Sequence, residues 1–166
     1  MTIVPASKEE INTIFELLRA CGQHMIDNGL FQWNEEYPTL QHVQGDFARG
    51  SLYCYKVENE IAAVISMDDK QSPEYKEIVW KHLQDRVFVV HRLAVLPTYQ
   101  KRGIAKELMD FAEKHARSNG YESIRLDAYS ANERALNIYR NRGYSYRGDI
   151  YFALRDLPFF CFEKKL

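Results

Sequence analysis

The hydrophobic period changes within residues 87–120, and this change constrains the fold more than any other feature of the sequence. Val87–Val95 is an almost unbroken apolar run, interrupted only by His91 and Arg92. A run this rich in β-branched residues predicts a strand that is buried on both faces. Pro97 ends the strand because proline has no N–H to donate to a neighbouring strand.

From Ile104 onward the apolar residues recur at helical spacing, which predicts an amphipathic helix ended by Asn119-Gly120. Its apolar face carries Ile104, Ala105, Leu108, Phe111, Ala112, His115 and Ala116. The opposite, solvent-facing side is expected to carry Lys106, Glu107, Asp110, Glu113 and Arg117. The pattern of residues 87–120 therefore predicts a strand, a loop and a helix.

The basic loop at residues 100–105 suits the binding of a phosphate. The first amides of a helix have no partner within it, and the helix dipole adds partial positive charge there. Gly103 would let the backbone approach an anion closely, and Lys101 and Arg102 would add charge. An ordinary strand–turn–helix corner with solvated basic residues explains this loop equally well.

Two nucleotide-binding motifs are absent from the sequence. It contains no G-x-x-x-x-G-K-[ST], which excludes a P-loop. It also contains no G-x-G-x-x-G after a strand, which excludes the dinucleotide fingerprint. No Ser/His/Asp or Cys/His arrangement indicates an enzyme nucleophile either.

Length and composition predict one soluble domain over residues 1–166. The formal net charge of −1 argues against nucleic acid as a partner. The three cysteines lack metal-ligand spacing and are expected to be reduced and buried, as in a cytoplasmic protein. No apolar segment is long enough to cross a bilayer and no signal-peptide core is present, so no membrane association is expected. No metal is expected either, given the spacing of the cysteines. A monomer or a homodimer is expected.

The remaining pattern predicts a mixed α/β domain (an α+β mixed sheet), with parallel pairing at its centre and antiparallel hairpins on both sides. Helical periodicity fades from His24, and a short helix is expected near residues 73–83. Ser130 and Glu133 fit a capping box before another helix. Further strands are expected at residues 2–5, 51–57, 61–67, 123–128, 144–147 and 159–163, and helices after Ser7, Thr39 and Ser130.

Two motifs, in the right order and spacing, resemble those of the GNAT acetyltransferase superfamily. Residues 100–105 read QKRGIA and resemble the signature Q/R-x-x-G-x-G/A. Asn132 and Ala135, followed by Tyr139 and the pair at residues 143–144, resemble the second signature, N-x-x-A-x-x-x-Y-x-x-x-G-[FY]. The resemblance implies a curved mixed sheet whose central strands splay apart, acetyl-CoA as co-substrate, and acetyl transfer to an amine.

The resemblance also implies which residues contact acetyl-CoA and which donate a proton. The implied contacts are Leu93, Ala94, Val95, Gln100, Lys101, Arg102, Gly103, Ile104, Ala105, Asn132 and Ala135. Backbone N–H groups at residues 93–95 would stabilise the oxyanion. Tyr139 occupies the position of the motif tyrosine and would protonate the leaving thiolate, although a core tyrosine would fit the bare sequence. Asn132 could likewise be only a turn residue before a helix.

The general base is left open between two candidates. Some family members carry a glutamate on the central strand, but the matching position here is near Val89, which cannot act as a base. Asp127 matches a position where other members carry a glutamate. His91 is the other candidate, because histidine side chains in general titrate near neutrality, although a lone histidine in an apolar strand more often belongs to the core. Either group would act through water.

The acceptor site is expected under the aromatic segment between the first two helices, which covers it in the family. Trp33 and Tyr37 are therefore candidate substrate-binding residues, although packing explains either of them as well. The acids at residues 68–85 could attract a cationic amine. The expected acceptor is a small metabolite, an amino acid, a polyamine or a peptide N-terminus. The competing hypothesis is a non-catalytic acyl-CoA-binding regulatory module.

Overall fold

Seven strands and four α-helices make up the protein in a computed structural model that describes residues 1–166. The strands are β1 (Thr2–Pro5), β2 (Leu52–Val57), β3 (Glu60–Asp68), β4 (Val87–Val95), β5 (Ser123–Tyr129), β6 (Ser145–Ile150) and β7 (Phe159–Lys165). The α-helices are α1 (Ile11–Asp27), α2 (Leu40–Ala48), α3 (Ile104–Ser118) and α4 (Glu133–Asn141). Short 3₁₀ helices occur at Lys8–Glu10, Pro73–Glu77 and Pro97–Tyr99.

The strands form one sheet in the order β1-β2-β3-β4-β5-β7-β6. β4 and β5 pair in parallel, with the ladder running from Val87 opposite Ser123 to Val90 opposite Leu126. β1 and β3 pair antiparallel to β2, and β5 and β6 pair antiparallel to β7. The predicted mixed α/β sheet, with parallel pairing at the centre and antiparallel hairpins on both sides, is confirmed.

The central strand and the helix that follows it have the predicted bounds. β4 covers Val87–Val95, and α3 covers Ile104–Ser118. Val89 and Val90 are buried, as an apolar run in the middle of a sheet requires. Helix α3 ends where Gly120 takes a φ of +75° and Tyr121 N donates to Ala116 O at 3.0 Å, which closes the last turn.

By their contacts the residues cluster into two compact units, and β4 and α3 each contribute to both. The first unit comprises Met1–Met67 and Arg92–Asp110. Its core holds the inner faces of α1 and α2 against β2, β3 and the end of β4. The buried side chains of this core include Ile14, Leu18, Val43, Cys54, Val64 and Ala94.

The second unit comprises Asp68–His91 and Phe111–Leu166. Its buried apolar side chains include Phe88, Ile124, Leu126, Leu136, Ile150 and Phe162. It also buries the charged side chains of Glu113, Arg125 and Glu163. Buried charges need partners, and each of these is paired within the unit.

Helix α1 continues to Asp27, beyond the point where its periodicity fades in the sequence. Gly22 lies inside it, and glycine in a helix costs about 1 kcal/mol relative to alanine. The position is buried, and a Cβ added there would lie 3.6 Å from Trp33 Cβ. Trp33 packs on this turn, and the helix continues through the glycine to Asp27.

The helix expected near residues 73–83 is present only in its first part, because Pro73–Glu77 forms a 3₁₀ helix and the residues after Glu77 are not helical. The amides that would have continued the helix have other partners. Lys81 N and His82 N donate to Glu163 Oε2 at 2.9 and 3.3 Å. A buried carboxylate on β7 thus holds this segment in a non-helical conformation.

Two further expectations are corrected by side-chain contacts. Asn132, rather than Ser130, caps α4, and its Oδ1 accepts the amide of Ala135 at 3.1 Å. Glu113, expected on the exposed side of α3, is buried, and its carboxylate is held by Arg142 at 3.0 Å and Lys164 at 2.8 Å. Cations distant in sequence therefore decide where this acid lies.

The prediction of reduced, buried cysteines is confirmed, since Cys21, Cys54 and Cys161 are all free and buried. Burial raises the pKa of the Cys21 and Cys54 thiols to about 12, and the pKa of Cys161 also rises. None of the helices combines the length and the apolar character needed to span a bilayer.

Candidate active site

Two residues of the loop that precedes α3 have a left-handed backbone conformation. Lys101 and Gly103 take positive φ angles of +62° and +84°. Glu107 N donates to Gly103 O at 3.1 Å, which makes Gly103 the last residue before the helix. The amides of the first helical turn, including Ile104 and Ala105, precede that bond and have no carbonyl within the helix to bind. The start of a helix with such amides is able to bind an anion.

Side chains of the loop hold it in place. Gln100 Nε2 donates to Val95 O at 3.1 Å, and Arg102 Nη2 donates to Thr98 O at 2.9 Å. The Arg102 guanidinium also lies 5.0 Å from the centre of the Tyr99 ring. A Cβ added to Gly103 would meet no protein atom within 4 Å, so the space in front of this glycine is open. Side-chain hydrogen bonds thus hold the loop against the protein, while the space in front of Gly103 is open.

The end of β4 leads directly into this loop. Leu93, Ala94 and Val95 are its last three residues, and Ala94 is buried. The carbonyl of Val95 accepts from Cys21 Sγ at 3.5 Å as well as from Gln100. The predicted oxyanion donors and the predicted phosphate loop therefore form one continuous stretch of the first unit.

Tyr37 is held by a buried ion pair that the sequence did not reveal. Arg92 Nη1 donates to the Tyr37 hydroxyl at 3.0 Å, and the guanidinium pairs with Asp46. Both charged side chains are buried, at 8% and 2% exposure. The network joins β4 to α2 and to the segment that precedes it.

Trp33 is 5% exposed and lies on the wall of a cleft of about 560 Å³ in the first unit. Helix α1 forms one wall, with Phe15, Glu16 and Arg19. The other wall is formed by Trp33, Asn34, Glu35 and Pro38. Most of the Trp33 surface is used in packing on α1, so its contact with an acceptor stays a prediction.

Asp127, His91 and Tyr139, the three predicted catalytic residues, all lie in the second unit. Burial raises the pKa of Tyr139 well above its ordinary value, and the charge of Asp127 raises it further. The Tyr139 ring packs with its centre 5.9 Å from that of Tyr144 and 6.1 Å from that of Phe162. Tyr139 therefore keeps its proton at neutral pH and is able to donate it.

Asp127 accepts a hydrogen bond from a residue that sequence analysis did not single out. The Tyr75 hydroxyl donates to Asp127 Oδ2 at 2.7 Å. Burial raises the pKa of Asp127 to about 6, against the opposing effects of the Tyr75 hydrogen bond and the charge of His91. A carboxyl of this kind is ionised at pH 7 and still has appreciable proton affinity.

His91 is paired with a second acid. Its Nε2 lies 2.7 Å from Asp68 Oδ1, which places the imidazole and the carboxylate in direct contact. The contact joins the end of β3 to the middle of β4 and makes Asp68 a partner that the sequence did not predict. Both side chains are partly exposed, at 24% and 14%.

The two remaining predicted cofactor contacts, Asn132 and Ala135, meet at the start of α4 in the second unit. The Asn132 side chain accepts the Ala135 amide and so acts as the helix cap. This contact accounts for an asparagine at the position without a ligand, and contact with the cofactor stays a prediction.

Comparisons with known proteins point to one family. The model of the acetyltransferase (GNAT) family matches residues 11–144. An uncharacterized N-acetyltransferase encoded in the 3′ region of pepI in Lactobacillus delbrueckii subsp. lactis is 28% identical over 107 residues. That match covers 63% of this chain and 57% of the relative, so the chain matches little more than half of that protein's length.

Solved structures show the same fold. A GNAT-family acetyltransferase from Streptococcus agalactiae 2603 has a TM-score of 0.85 at 22% identity, over 99% of this chain and 95% of that one. The PaiA N-acetyltransferase of Thermoplasma acidophilum, solved in complex with coenzyme A, has a TM-score of 0.73 at 18% identity. That alignment covers 99% of this chain and 98% of PaiA.

Proposed function

Because this chain belongs to the acetyltransferase (GNAT) family, we propose that it moves the acetyl group of acetyl-CoA to a primary amine. The observation that carries the proposal is the loop at residues 100–105. Its positive φ angles and the open start of α3 present N–H groups suited to a diphosphate. Each amide-to-oxyanion bond contributes roughly 1.5–3 kcal/mol.

The proposed cofactor contacts extend from this loop to β4 and α4. The diphosphate is bound by the loop, through Gln100, Lys101, Arg102, Gly103, Ile104 and Ala105. The thioester faces the end of β4, where the oxyanion donor comes from Leu93, Ala94 and Val95. Asn132 and Ala135 contribute at the start of α4. Support for this assignment is the family match, which spans all of these positions. Coenzyme A in the PaiA complex supports the choice of cofactor.

The reaction requires proton transfers rather than an enzyme nucleophile. An alkyl ammonium with a pKa of about 10.4 must lose a proton before its nitrogen attacks the thioester carbon. At pH 7 this deprotonation costs about 4–5 kcal/mol. Collapse of the tetrahedral intermediate then breaks the C–S bond, and the thiolate takes the proton of Tyr139. Tyr139 is a neutral phenol at pH 7 and so carries the proton that this role needs.

In this proposal the acceptor ammonium gives its proton to Asp127 or His91. Both side chains lie in the second unit, and the charge of His91 acts on the pKa of Asp127. The acceptor is a small metabolite, an amino acid, a polyamine or a peptide N-terminus, with Trp33 and Tyr37 contributing to its site. The family match supports an amine acceptor but does not distinguish among these classes.

The test separates cofactor binding from catalysis. Calorimetric titration of the protein with acetyl-CoA should give saturable binding, and a panel of amines should reveal release of the CoA thiol. Tyr139→Phe should lower kcat by about 10²–10⁴-fold, the usual contribution of a general acid, while the Kd of acetyl-CoA changes less than twofold.

Tyr146→Phe is the control, because it removes an exposed tyrosine hydroxyl that donates to Asp149 at 2.8 Å on β6. It should leave kcat unchanged. No binding at millimolar acetyl-CoA would refute the proposed function. Tight binding with no thiol release from any amine would instead favour a non-catalytic acyl-CoA-binding module.

A further inference from the structure

Residues 69–85 cover one face of β5 and bring Tyr75 onto Asp127. Tyr75 is 3% exposed, and its hydroxyl donates to Asp127 Oδ2 at 2.7 Å. The two residues are 52 positions apart in sequence. This contact gives the carboxylate a fixed orientation and leaves its second oxygen, Oδ1, available to another group.

Trp80 holds Tyr75 in this position. Its indole N–H donates to the Tyr75 carbonyl at 2.9 Å, and the two ring centres lie 5.1 Å apart. Trp80 is itself 6% exposed and packs under the guanidinium of Arg125 at 4.1 Å. Arg125 lies two residues before Asp127 on β5, so both side chains project from the same face of the strand.

Arg125 binds both ends of the segment that carries Tyr75. Its guanidinium donates to Gln71 Oε1 at 2.6 Å and to His82 O at 3.1 Å. It also pairs with the buried carboxylate of Glu163 at 3.0 Å. With both ends bound to one buried cation, the segment fixes the Tyr75 hydroxyl more firmly than an exposed loop would.

Charged and titratable groups from four elements act on Asp127. Tyr75 and Glu74 belong to the 3₁₀ turn, and His91 to β4. Tyr139 on α4 and Cys161 on β7 are both affected by the charge of Asp127. Burial and the charge of Glu74 raise the pKa of Asp127, whereas the Tyr75 hydrogen bond and the charge of His91 lower it.

We propose that Tyr75 is a positioning residue for the general base, and that its hydroxyl orients Asp127 so that Oδ1 takes the proton of the acceptor ammonium. This inference rests on the proposed acetyl transfer and selects Asp127 over His91 as the base. His91 then acts on Asp127 through its charge.

The proton balance of this step is complete. The ammonium N–H bond breaks, Asp127 Oδ1 gains that proton, and the freed nitrogen lone pair forms the bond to the thioester carbon. When the C–S bond breaks, the thiolate takes the Tyr139 proton, and the nitrogen of the new amide gives up a second proton that restores Tyr139. Asp127 releases its proton to solvent, so the net products are the amide, the CoA thiol and one proton.

The test is the pH profile of kcat/KM for Tyr75→Phe. Removing the donated hydrogen bond disfavours the ionised carboxylate, so the acidic limb should move to higher pH by about 1 unit. Activity at pH 6 should therefore fall about fivefold, while activity at pH 9 changes less than twofold. A uniform loss at all pH values, or a profile identical to wild type, would overturn the proposal.

Tyr121→Phe is the matched control, since the Tyr121 hydroxyl donates to another aspartate, Asp69, at 3.3 Å in the same unit. Its profile should coincide with that of the wild type. If Tyr75→Phe does not fold, a fluorinated tyrosine at position 75 keeps the shape and donates a stronger hydrogen bond. The acidic limb should then move to lower pH, and an unmoved limb would overturn the proposal.

Titration of the Asp127 side-chain carboxyl by ¹³C NMR separates this inference from the proposed function. Wild-type protein that releases no CoA thiol with any amine would refute the proposed function, and with it Asp127 as the base. The carboxyl titration does not depend on turnover. A Tyr75→Phe variant whose Asp127 titrates at the wild-type pH would refute the control of Asp127 by Tyr75 even in an active enzyme.

Discussion

Asp127 is a carboxyl on an interior strand, and burial raises its pKa from an ordinary value of 3.8 to about 6. The folded protein therefore binds this proton more tightly than the unfolded chain does. Between about pH 4 and pH 6 the carboxyl ionises in the unfolded chain before it does in the folded protein, so stability falls as the pH rises. Above that window the charged carboxylate costs about 3 kcal/mol of stability.

Asp127→Asn should accordingly stabilise the protein at pH 8, by about 1–3 kcal/mol. The neutral amide removes the buried charge, and its oxygen still accepts the hydroxyl of Tyr75. At pH 4, where the folded wild type is protonated at Asp127, the two proteins should differ by less than about 0.5 kcal/mol. Urea denaturation at both pH values measures the difference.

The Asp127→Asn variant should also lack acetyl transfer if Asp127 is the base, because an amide cannot take the proton of the ammonium. A gain in stability combined with a loss of activity is the pattern expected of a residue retained for catalysis. Equal stability of the two proteins at pH 8 would show that the carboxylate is not destabilised in the folded protein.

At the scale of single elements, the loop before α3 depends on the backbone conformation of one glycine. Gly103 has a φ of +84°, in a region that side chains with a Cβ rarely adopt. No protein atom lies within 4 Å of a Cβ built there. The glycine is therefore needed for the path of the backbone, and for close approach by whatever binds in front of the loop.

Gly103→Ala should weaken acetyl-CoA binding about tenfold, because the strained residue shifts the amides and its Cβ enters the proposed diphosphate site. Gly50→Ala is the matched control. Gly50 also has a positive φ, +69°, and also has no protein atom within 4 Å of a built Cβ.

Both variants should lose about 1–2 kcal/mol of stability, the cost of a left-handed conformation. Only the change at Gly103 should alter the Kd, as read by calorimetry. Equal affinities for the two variants would show that residues 100–105 do not bind the diphosphate.

At the scale of the whole molecule, β4 and α3 connect the two compact units, because each contributes residues to both. Unfolding either unit must therefore disrupt a strand and a helix that belong to the other as well. Elements shared in this way favour a single cooperative transition. A single domain over residues 1–166, as the sequence predicts, would also unfold in one cooperative transition.

The buried cysteines provide probes of this cooperativity. Cys21 and Cys54 lie in the first unit and Cys161 lies in the second. Single-cysteine proteins labelled with a thiol reagent in increasing urea should yield the same free energy of opening for both units, within about 1 kcal/mol. Protection of Cys161 that is lost at a clearly lower urea concentration than that of Cys54 would show that the units unfold independently.

Local patterns in the sequence predicted most of the elements correctly. Val87–Val95 and Ile104–Ser118 have the predicted bounds because an apolar run and a period of 3.6 residues both arise within a few neighbouring positions. The sequence motifs also led to the right family. Local reasoning was wrong where a distant partner decided the outcome, as for Glu113, which is buried by Arg142 and Lys164.

In the candidate site, too, the sequence predicted some residues, and others were found only through their contacts in the structure. Tyr139 and Asp127 were proposed from family positions and His91 from the chemistry of histidine. The hydroxyl of Tyr75 and the carboxylate of Asp68 became visible only in the folded chain. These contacts join residues 52 and 23 positions apart, and no periodic pattern records which distant side chains will meet. Amino-acid order therefore specified the elements and the family, since both depend on neighbouring residues. Tertiary packing decided which polar groups touch, since burial leaves each of them only the partners that the fold brings within reach.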